Sequence, residues 1–184
     1  MFRRRATLSS MLHGNEEFFL IDEQKVVFEL VKKALHKALS GPDFKYTIII
    51  QGGPGTGKSV VAIQLLCDII KTGRSALYVT KNAAPRHVYF AKLRQNYTQS
   101  YINTLFKGSG AFIDAQPNTF DCILADEAHR LQMKSGMYQN QGEAQVKEII
   151  NAAKVSVFFI DEQQRVTTSD ACTVEMIRQE CLCF

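Results

Sequence analysis

The stretch GGPGTGKS, residues 52–59, holds four glycines and one proline and ends in Lys58 and Ser59. It fits the Walker A pattern G-x-x-x-x-G-K-S/T. Glycine lets backbone N–H groups turn inward and approach phosphate oxygens closely. A helix that begins near Gly57 adds its positive amino-terminal end. In this pattern the lysine reaches the β- and γ-phosphates and the serine hydroxyl binds Mg²⁺, so the stretch predicts a phosphate-binding loop.

The segments on either side of this loop have the structure that it requires. KYTIII (45–50) is rich in β-branched residues and apolar on successive positions, which is typical of a strand covered on both faces. In SVVAIQLLCDII (59–70) the apolar side chains recur at helical spacing. They are Val60, Ile63, Leu66, Cys67 and Ile70. A strand, the loop and a helix thus follow one another, which favours a phosphate-binding loop over a simple glycine-rich turn.

The composition is that of one soluble globular domain. The chain has 184 residues, of which 46% are hydrophobic and 22% charged, and the net charge of +4 permits a nucleic-acid partner. No apolar run is long enough for a membrane span. Arg3–Arg5 lie in an arm over 1–17 that lacks the apolar segment of a secretory signal. Cys67 and Cys122 lie inside apolar segments, where cysteine acts as a small hydrophobe, so a reducing, cytoplasmic location is expected.

Strands and helices alternate along the rest of the chain. An amphipathic helix is predicted over 22–39 with Asp22 as its N-cap. Its predicted buried face is Val26, Val27, Leu30, Val31, Ala34, Leu35 and Ala38. Further strands are predicted over 75–80, 120–125 and 155–160. Further helices are predicted over 84–97, 143–153 and 168–182, the last of them capped by Ser169 or Asp170. The segment 132–142 is predicted to be a mobile, exposed loop. The alternation predicts an α/β fold with a mainly parallel sheet and helices on both faces.

Two of these strands end in polar side chains suited to nucleotide chemistry. CILADEAHR (122–130) delivers Asp126 and Glu127 at the carboxyl edge of the sheet, where ligands bind in open α/β folds. Asp126 can hold Mg²⁺ opposite Ser59, and Glu127 can act as general base on the attacking water. The strand that ends at Asp161 is followed by Gln164, whose amide can donate to a γ-phosphate oxygen and accept from a water.

The order of these motifs resembles the first RecA-like domain of a superfamily 1 helicase, and most closely the Schlafen-type DNA/RNA helicase domain of bacterial proteins. FLIDEQKVV (19–27) is similar to that group's glutamine-containing motif, GGPGTGKS to motif I and ALYVTKNAAPR (76–86) to motif Ia. ADEAHR (125–130) is similar to motif II in its DEAH form, and IDEQQR (160–165) to motif III.

The resemblance implies a three-layer, RecA-like P-loop NTPase domain over 18–184 that binds and hydrolyses ATP with Mg²⁺. Lys58, Glu127 and Gln164 would be catalytic, Ser59 and Asp126 would hold the metal, and single-stranded DNA or RNA would contact motif Ia. The implied nucleotide-binding residues are Gln24, which would read the adenine, and Gly52, Gly53, Pro54, Gly55, Thr56, Gly57, Lys58, Ser59 and Val60.

The resemblance also sets two expectations about architecture. The family's sheet order places the strand 155–160 between the strands 46–51 and 120–125. The family continues into a second RecA-like domain whose arginines reach the γ-phosphate, and that domain would be absent from this chain. The isolated chain is therefore expected to bind nucleotide but to hydrolyse it slowly.

The residues leave several alternatives open. A nucleotide-dependent switch or signalling module that moves no nucleic acid, and an inactive nucleotide-binding domain, would carry the same loop. Four groups have two possible roles each. His129 either couples the site to a neighbouring motif or caps a turn, and Arg130 and Arg165 either bind phosphate or pair with carboxylates. Lys81 and Asn82 either contact nucleic acid or lie in a solvated loop. Phe18 and Phe19 pack either in the core or against the adenine.

Overall fold

A computed structural model shows a parallel sheet covered by helices on both faces. It describes residues 22–41, 44–81, 98–134, 141–164 and 172–184. The strands are β1 (Tyr46–Gln51), β2 (Ala76–Val79), β3 (Phe106–Lys107), β4 (Phe120–Ala125) and β5 (Ala153–Ile160). The helices are α1 (Asp22–Leu39), α2 (Lys58–Lys71), α3 (Gln99–Leu105), α4 (Gln145–Ala152) and α5 (Val174–Cys181), with 3₁₀ turns over Ser109–Phe112, Ala128–Arg130 and Glu162–Gln164. In this part of the chain no helix is both long and apolar enough to cross a membrane.

The sheet order is β1-β5-β4-β2-β3, and all paired strands are parallel. Val157 of β5 lies between Ile48 of β1 and Leu124 of β4. This confirms the α/β fold class, with its three-layer RecA-like arrangement, and the predicted position of the 155–160 strand. Because the strands are parallel, the segments that follow β1, β4 and β5 meet at one edge of the sheet.

Each face of the sheet carries its own apolar core. α1, α2 and α3 pack on the face that includes Tyr78, Leu124 and Phe159. α4 and α5 pack on the face that includes Ile123 and Phe158. All five of these sheet residues are almost fully buried. α2, the helix that follows the predicted phosphate loop, is buried or half-buried along almost its whole length, with its amino-terminal end at the carboxyl edge of β1.

The cysteines inside apolar segments are buried, as the sequence predicted. Cys67 lies in α2 and Cys122 in β4, and both are free thiols in the core. Burial raises the pKa of the Cys67 thiol to about 11 and raises that of Cys122 as well. Both thiols therefore stay protonated at neutral pH and pack as small apolar groups.

The buried face of α1 is narrower than predicted. Val31 and Leu35 are buried, but Val26 and Leu30 are 68% and 52% exposed. Val26 and Leu30 lie one above the other along the helix, as Val27 and Val31 do. The two rows are about 100° apart around the helix axis. The buried residues Val31, Ala34, Leu35 and Ala38 span about 100° of the helix surface, so the row of Val26 and Leu30 lies outside this stripe and faces solvent.

The last helix begins later than predicted. α5 starts at Val174, and the Thr173 hydroxyl accepts a hydrogen bond from the Met176 N–H, 3.1 Å away. Thr173, rather than Ser169 or Asp170, is therefore its N-cap. The segment 98–117, for which the sequence predicted no helix or strand, contains α3, β3 and the 3₁₀ turn Ser109–Phe112. The predicted helix over 84–97 and most of the predicted loop over 132–142 lie outside the described residues.

The corrected face of α1 predicts different costs for the same substitution at two positions. Leu35→Ala should lower the free energy of unfolding by about 2–5 kcal/mol, because it opens a cavity in the core. Leu30→Ala, on the same helix, should change it by no more than about 0.5 kcal/mol. Urea unfolding of both variants measures the difference, and equal costs would contradict this orientation of α1.

Candidate active site

The phosphate loop over 52–57 leaves β1 and enters α2 at Lys58. Gly55 and Gly57 have φ of +75° and +83°, a region that residues with a Cβ rarely adopt. A Cβ at Gly57 would also overlap Nε2 of Gln24. Glycine at position 57 is therefore required by the backbone conformation, whereas the flexible end of the Gln24 side chain could move aside.

Lys58 lies across this loop. Its Nζ donates hydrogen bonds to the carbonyl oxygens of Gly52 (2.6 Å) and Gly53 (2.7 Å). The same Nζ lies 3.7 Å from Oδ2 of Asp161, at the end of β5, and the two side chains are 15% and 2% exposed. The ammonium group is therefore placed where the loop amides and the positive end of α2 also attract an anion.

Asp126 connects the loop helix to β4. Its Oδ2 accepts hydrogen bonds from the Ser59 hydroxyl, 2.6 Å away, and from the Tyr78 hydroxyl. Its Oδ1 accepts one from the Glu127 N–H at 2.9 Å. The residue is 5% exposed. Three donors from three elements thus fix the orientation of one buried carboxylate.

The Ser59–Asp126 pair fits a magnesium ion chemically. A hydroxyl oxygen and a carboxylate oxygen are hard ligands of the type that Mg²⁺ prefers, and they lie 2.6 Å apart. Mg²⁺ usually keeps several waters and takes only one or two protein ligands, with phosphate oxygens completing its shell. Ser59 and Asp126 are therefore the residues that would hold it.

Glu127 has an unusual backbone conformation at the end of β4. Its φ and ψ are 50° and 45°, left-handed values that cost a non-glycine residue energy and cluster at functional sites. Its side chain is one-third exposed, with Oε2 3.6 Å from a guanidinium nitrogen of Arg130. Of the two roles left open for Arg130, the structure shows carboxylate pairing. Arg165 lies outside the described residues.

A cleft of about 170 Å³ opens beside the loop. Its walls are Glu23, Gln24, Val27, Ile50, Gln51, Gly52, Thr56, Lys58, Val61 and Phe159. Gln24 donates from Nε2 to the Thr56 carbonyl at 2.9 Å, so α1 is joined directly to the loop. The cleft combines apolar walls with amide groups, as a planar nucleobase requires. Adenine reading by Gln24 stays a prediction.

The other predicted residues are brought less closely together. Gln164 follows Asp161 in a 3₁₀ turn, with an exposed side chain that makes no hydrogen bond to the described residues of the site. Its proposed role at the γ-phosphate stays a prediction. His129 is buried in the turn after Glu127, and Lys81 is partly exposed after β2. Phe18, Phe19 and Asn82 lie outside the described residues.

Sequence reasoning missed two contacts of the site. It gave no role to Tyr78, whose side chain is the only one in the strand ALYV that carries a polar atom. It placed Asp161 in motif III but did not pair it with Lys58. The signal for the second contact was present, because the predicted sheet order makes the ends of β1 and β5 neighbours.

Comparison with known families agrees with this geometry. The family model described as Schlafen group 3, DNA/RNA helicase domain, matches residues 45–181, about three quarters of the chain. The match covers the phosphate loop and all five strands, and it confirms the resemblance on which the motif assignments were based. No curated protein matches the chain significantly.

Proposed function

We propose that this chain, which belongs to the Schlafen group 3 DNA/RNA helicase domain family, binds ATP with Mg²⁺ at the phosphate loop and hydrolyses it as a motor domain of superfamily 1 type. The observation that carries the proposal is the 2.6 Å hydrogen bond between Ser59 and Asp126. It joins the start of the loop helix to the acidic end of β4, which are the two parts a nucleoside triphosphate site needs.

Binding follows from the charges at the loop. The amides of residues 52–57 and the amino-terminal end of α2 attract the phosphates, and Lys58 adds a full positive charge. Lys58 now uses two loop carbonyls as acceptors. Phosphate oxygens are stronger acceptors for an ammonium group than neutral carbonyls are. A bound triphosphate would therefore replace the two loop carbonyls as the hydrogen-bond acceptor of Lys58.

Hydrolysis requires a group that orients and deprotonates water. Glu127 follows Asp126 directly and keeps its side chain partly open to solvent, so its carboxylate can accept the proton of the attacking water. Lys58 neutralises charge on the equatorial oxygens as the γ-phosphoryl group transfers. Mg²⁺, when bound, neutralises charge on the β- and γ-phosphates.

The nucleotide arm of the test measures ligand-induced stabilisation. ATP with Mg²⁺ at 100 times its Kd should stabilise the wild-type chain by about 2.7 kcal/mol. Lys58→Ala should lose most of this increment, each variant being compared with its own nucleotide-free state. Lys71→Ala is the matched control, because Lys71 is exposed at the opposite end of α2, about 20 Å away. An unchanged increment in Lys58→Ala would contradict the proposed site.

The nucleic-acid arm distinguishes a motor from a switch. Fluorescence anisotropy of a labelled single-stranded DNA or RNA oligonucleotide should rise on adding the chain, and the affinity should fall with salt as phosphate contacts are screened. Nucleotide binding without any oligonucleotide binding would instead favour a nucleotide-dependent switch or signalling module.

A further inference from the structure

A buried tyrosine hydroxyl reaches the site from the sheet. Tyr78 is 1% exposed, and its ring packs against Phe106 with centroids 5.6 Å apart. Its hydroxyl donates to Oδ2 of Asp126, the same oxygen that accepts from Ser59. The core therefore holds this ring so that the phenol oxygen points to the carboxylate.

The sheet register explains how Tyr78 reaches Asp126. Tyr78 of β2 pairs with Leu124 of β4, and Asp126 lies two residues further along on the same face. The Asp126 N–H donates to the Val79 carbonyl at 2.8 Å, which extends the ladder to the carboxylate residue itself. Neighbouring strands thus fix both partners of the hydrogen bond.

The acceptor sites of Asp126 are nearly all used. An ionised carboxylate has about four lone-pair sites. The hydroxyls of Ser59 and Tyr78 take two sites on Oδ2, and the Glu127 N–H takes one on Oδ1. About one site on Oδ1 is left for a further partner. The donors thereby determine which part of the carboxylate can meet a metal ion or its water.

We propose that Tyr78 is a positioning residue for the magnesium site, acting through its hydrogen bond to Asp126. The inference rests on the proposed function, since it assigns Asp126 to Mg²⁺. Partners that orient a ligating carboxylate typically account for about 10–100-fold in metal affinity. Tyr78 is buried and does not line the cleft beside the loop, so removing its hydroxyl should weaken only the metal-dependent part of binding.

The test compares ATP binding with and without the metal. The Kd of a non-hydrolysable ATP analogue is measured in Mg²⁺ and in EDTA, for the wild type and for Tyr78→Phe. The Kd in Mg²⁺ should rise about tenfold or more in the variant while the Kd in EDTA stays unchanged, so the ratio of the Kd in EDTA to the Kd in Mg²⁺ should fall by the same factor. Tyr46→Phe is the matched control, because Tyr46 carries the same hydroxyl at the amino end of β1, about 16 Å along that strand from the loop.

A double variant shows whether the hydroxyl acts through the carboxylate. In an Asp126→Asn background, Tyr78→Phe should change the ratio by less than about twofold, because the charge it orients is gone. An unchanged ratio in the single variant, or a Kd that rises equally in EDTA, would overturn the positioning role. A Tyr78→Phe chain that does not fold would also overturn it, by showing that the hydroxyl supports the fold. If the wild type binds no nucleotide, the proposed function fails instead.

Discussion

Replacing Glu127 with glutamine should lower the rate of ATP hydrolysis by about 10²–10⁴-fold while ATP binding is retained. Glutamine keeps the size of the side chain but cannot accept the proton of the attacking water. The contact that joins this residue to the Asp126 carboxylate, the proposed metal ligand, uses its backbone N–H, 2.9 Å from Asp126 Oδ1, and so survives the substitution. The expected defect therefore lies in kcat and not in nucleotide affinity.

The experiment measures steady-state phosphate release together with the Kd for ATP. Glu143→Gln is the matched control, since Glu143 is an exposed glutamate paired with Lys147 just before α4, and its neutralisation should leave kcat unchanged. A kcat that falls less than tenfold in Glu127→Gln would remove Glu127 from the chemistry. A rise in Kd that matches the fall in rate would assign the residue to binding.

The features predicted well from sequence are those that local chemistry determines. The residues GGPGTGKS specify a loop between a strand and a helix, and the structure has β1 and α2 on either side of it. The alternation of strands and helices predicts a parallel sheet because parallel strands need crossovers. The resemblance to the family supplied the position of β5 between β1 and β4, which residue patterns alone do not determine.

The features that sequence did not predict depend on partners distant in the chain. The exposure of Val26 and Leu30 is decided by how α1 lies on the sheet, and helical periodicity does not contain that orientation. The Tyr78–Asp126 bond needs β2 beside β4, two strands separated by 40 residues or more. The position of β2 beside β4 was therefore the information needed to predict the hydrogen bond that orients the Asp126 carboxylate.

The salt bridge between Lys58 and Asp161 gives the second large effect. Lys58→Ala should lower the free energy of unfolding of the nucleotide-free chain by about 3 kcal/mol, or about 6–12 °C in Tm. Asp161 is nearly fully buried, and among the described residues its Oδ2 makes no hydrogen bond and lies 3.7 Å from Lys58 Nζ. Removing the lysine leaves a buried carboxylate without its counter-charge. We expect a loss of stability at the lower end of the range usual for breaking a buried ion pair, because the Lys58 side chain is 15% exposed.

A double-mutant cycle separates this electrostatic cost from the loss of nucleotide binding. Asp161→Asn alone should cost less than Lys58→Ala, because the lysine keeps its bonds to the carbonyls of Gly52 and Gly53. Lys58→Ala with Asp161→Asn should recover at least half of the stability lost in Lys58→Ala, since no buried charge is left. The double variant should still fail to bind ATP, because the positive charge at the loop is not restored. Urea unfolding without nucleotide measures all four chains, and strictly additive costs would show that the two charges are not coupled.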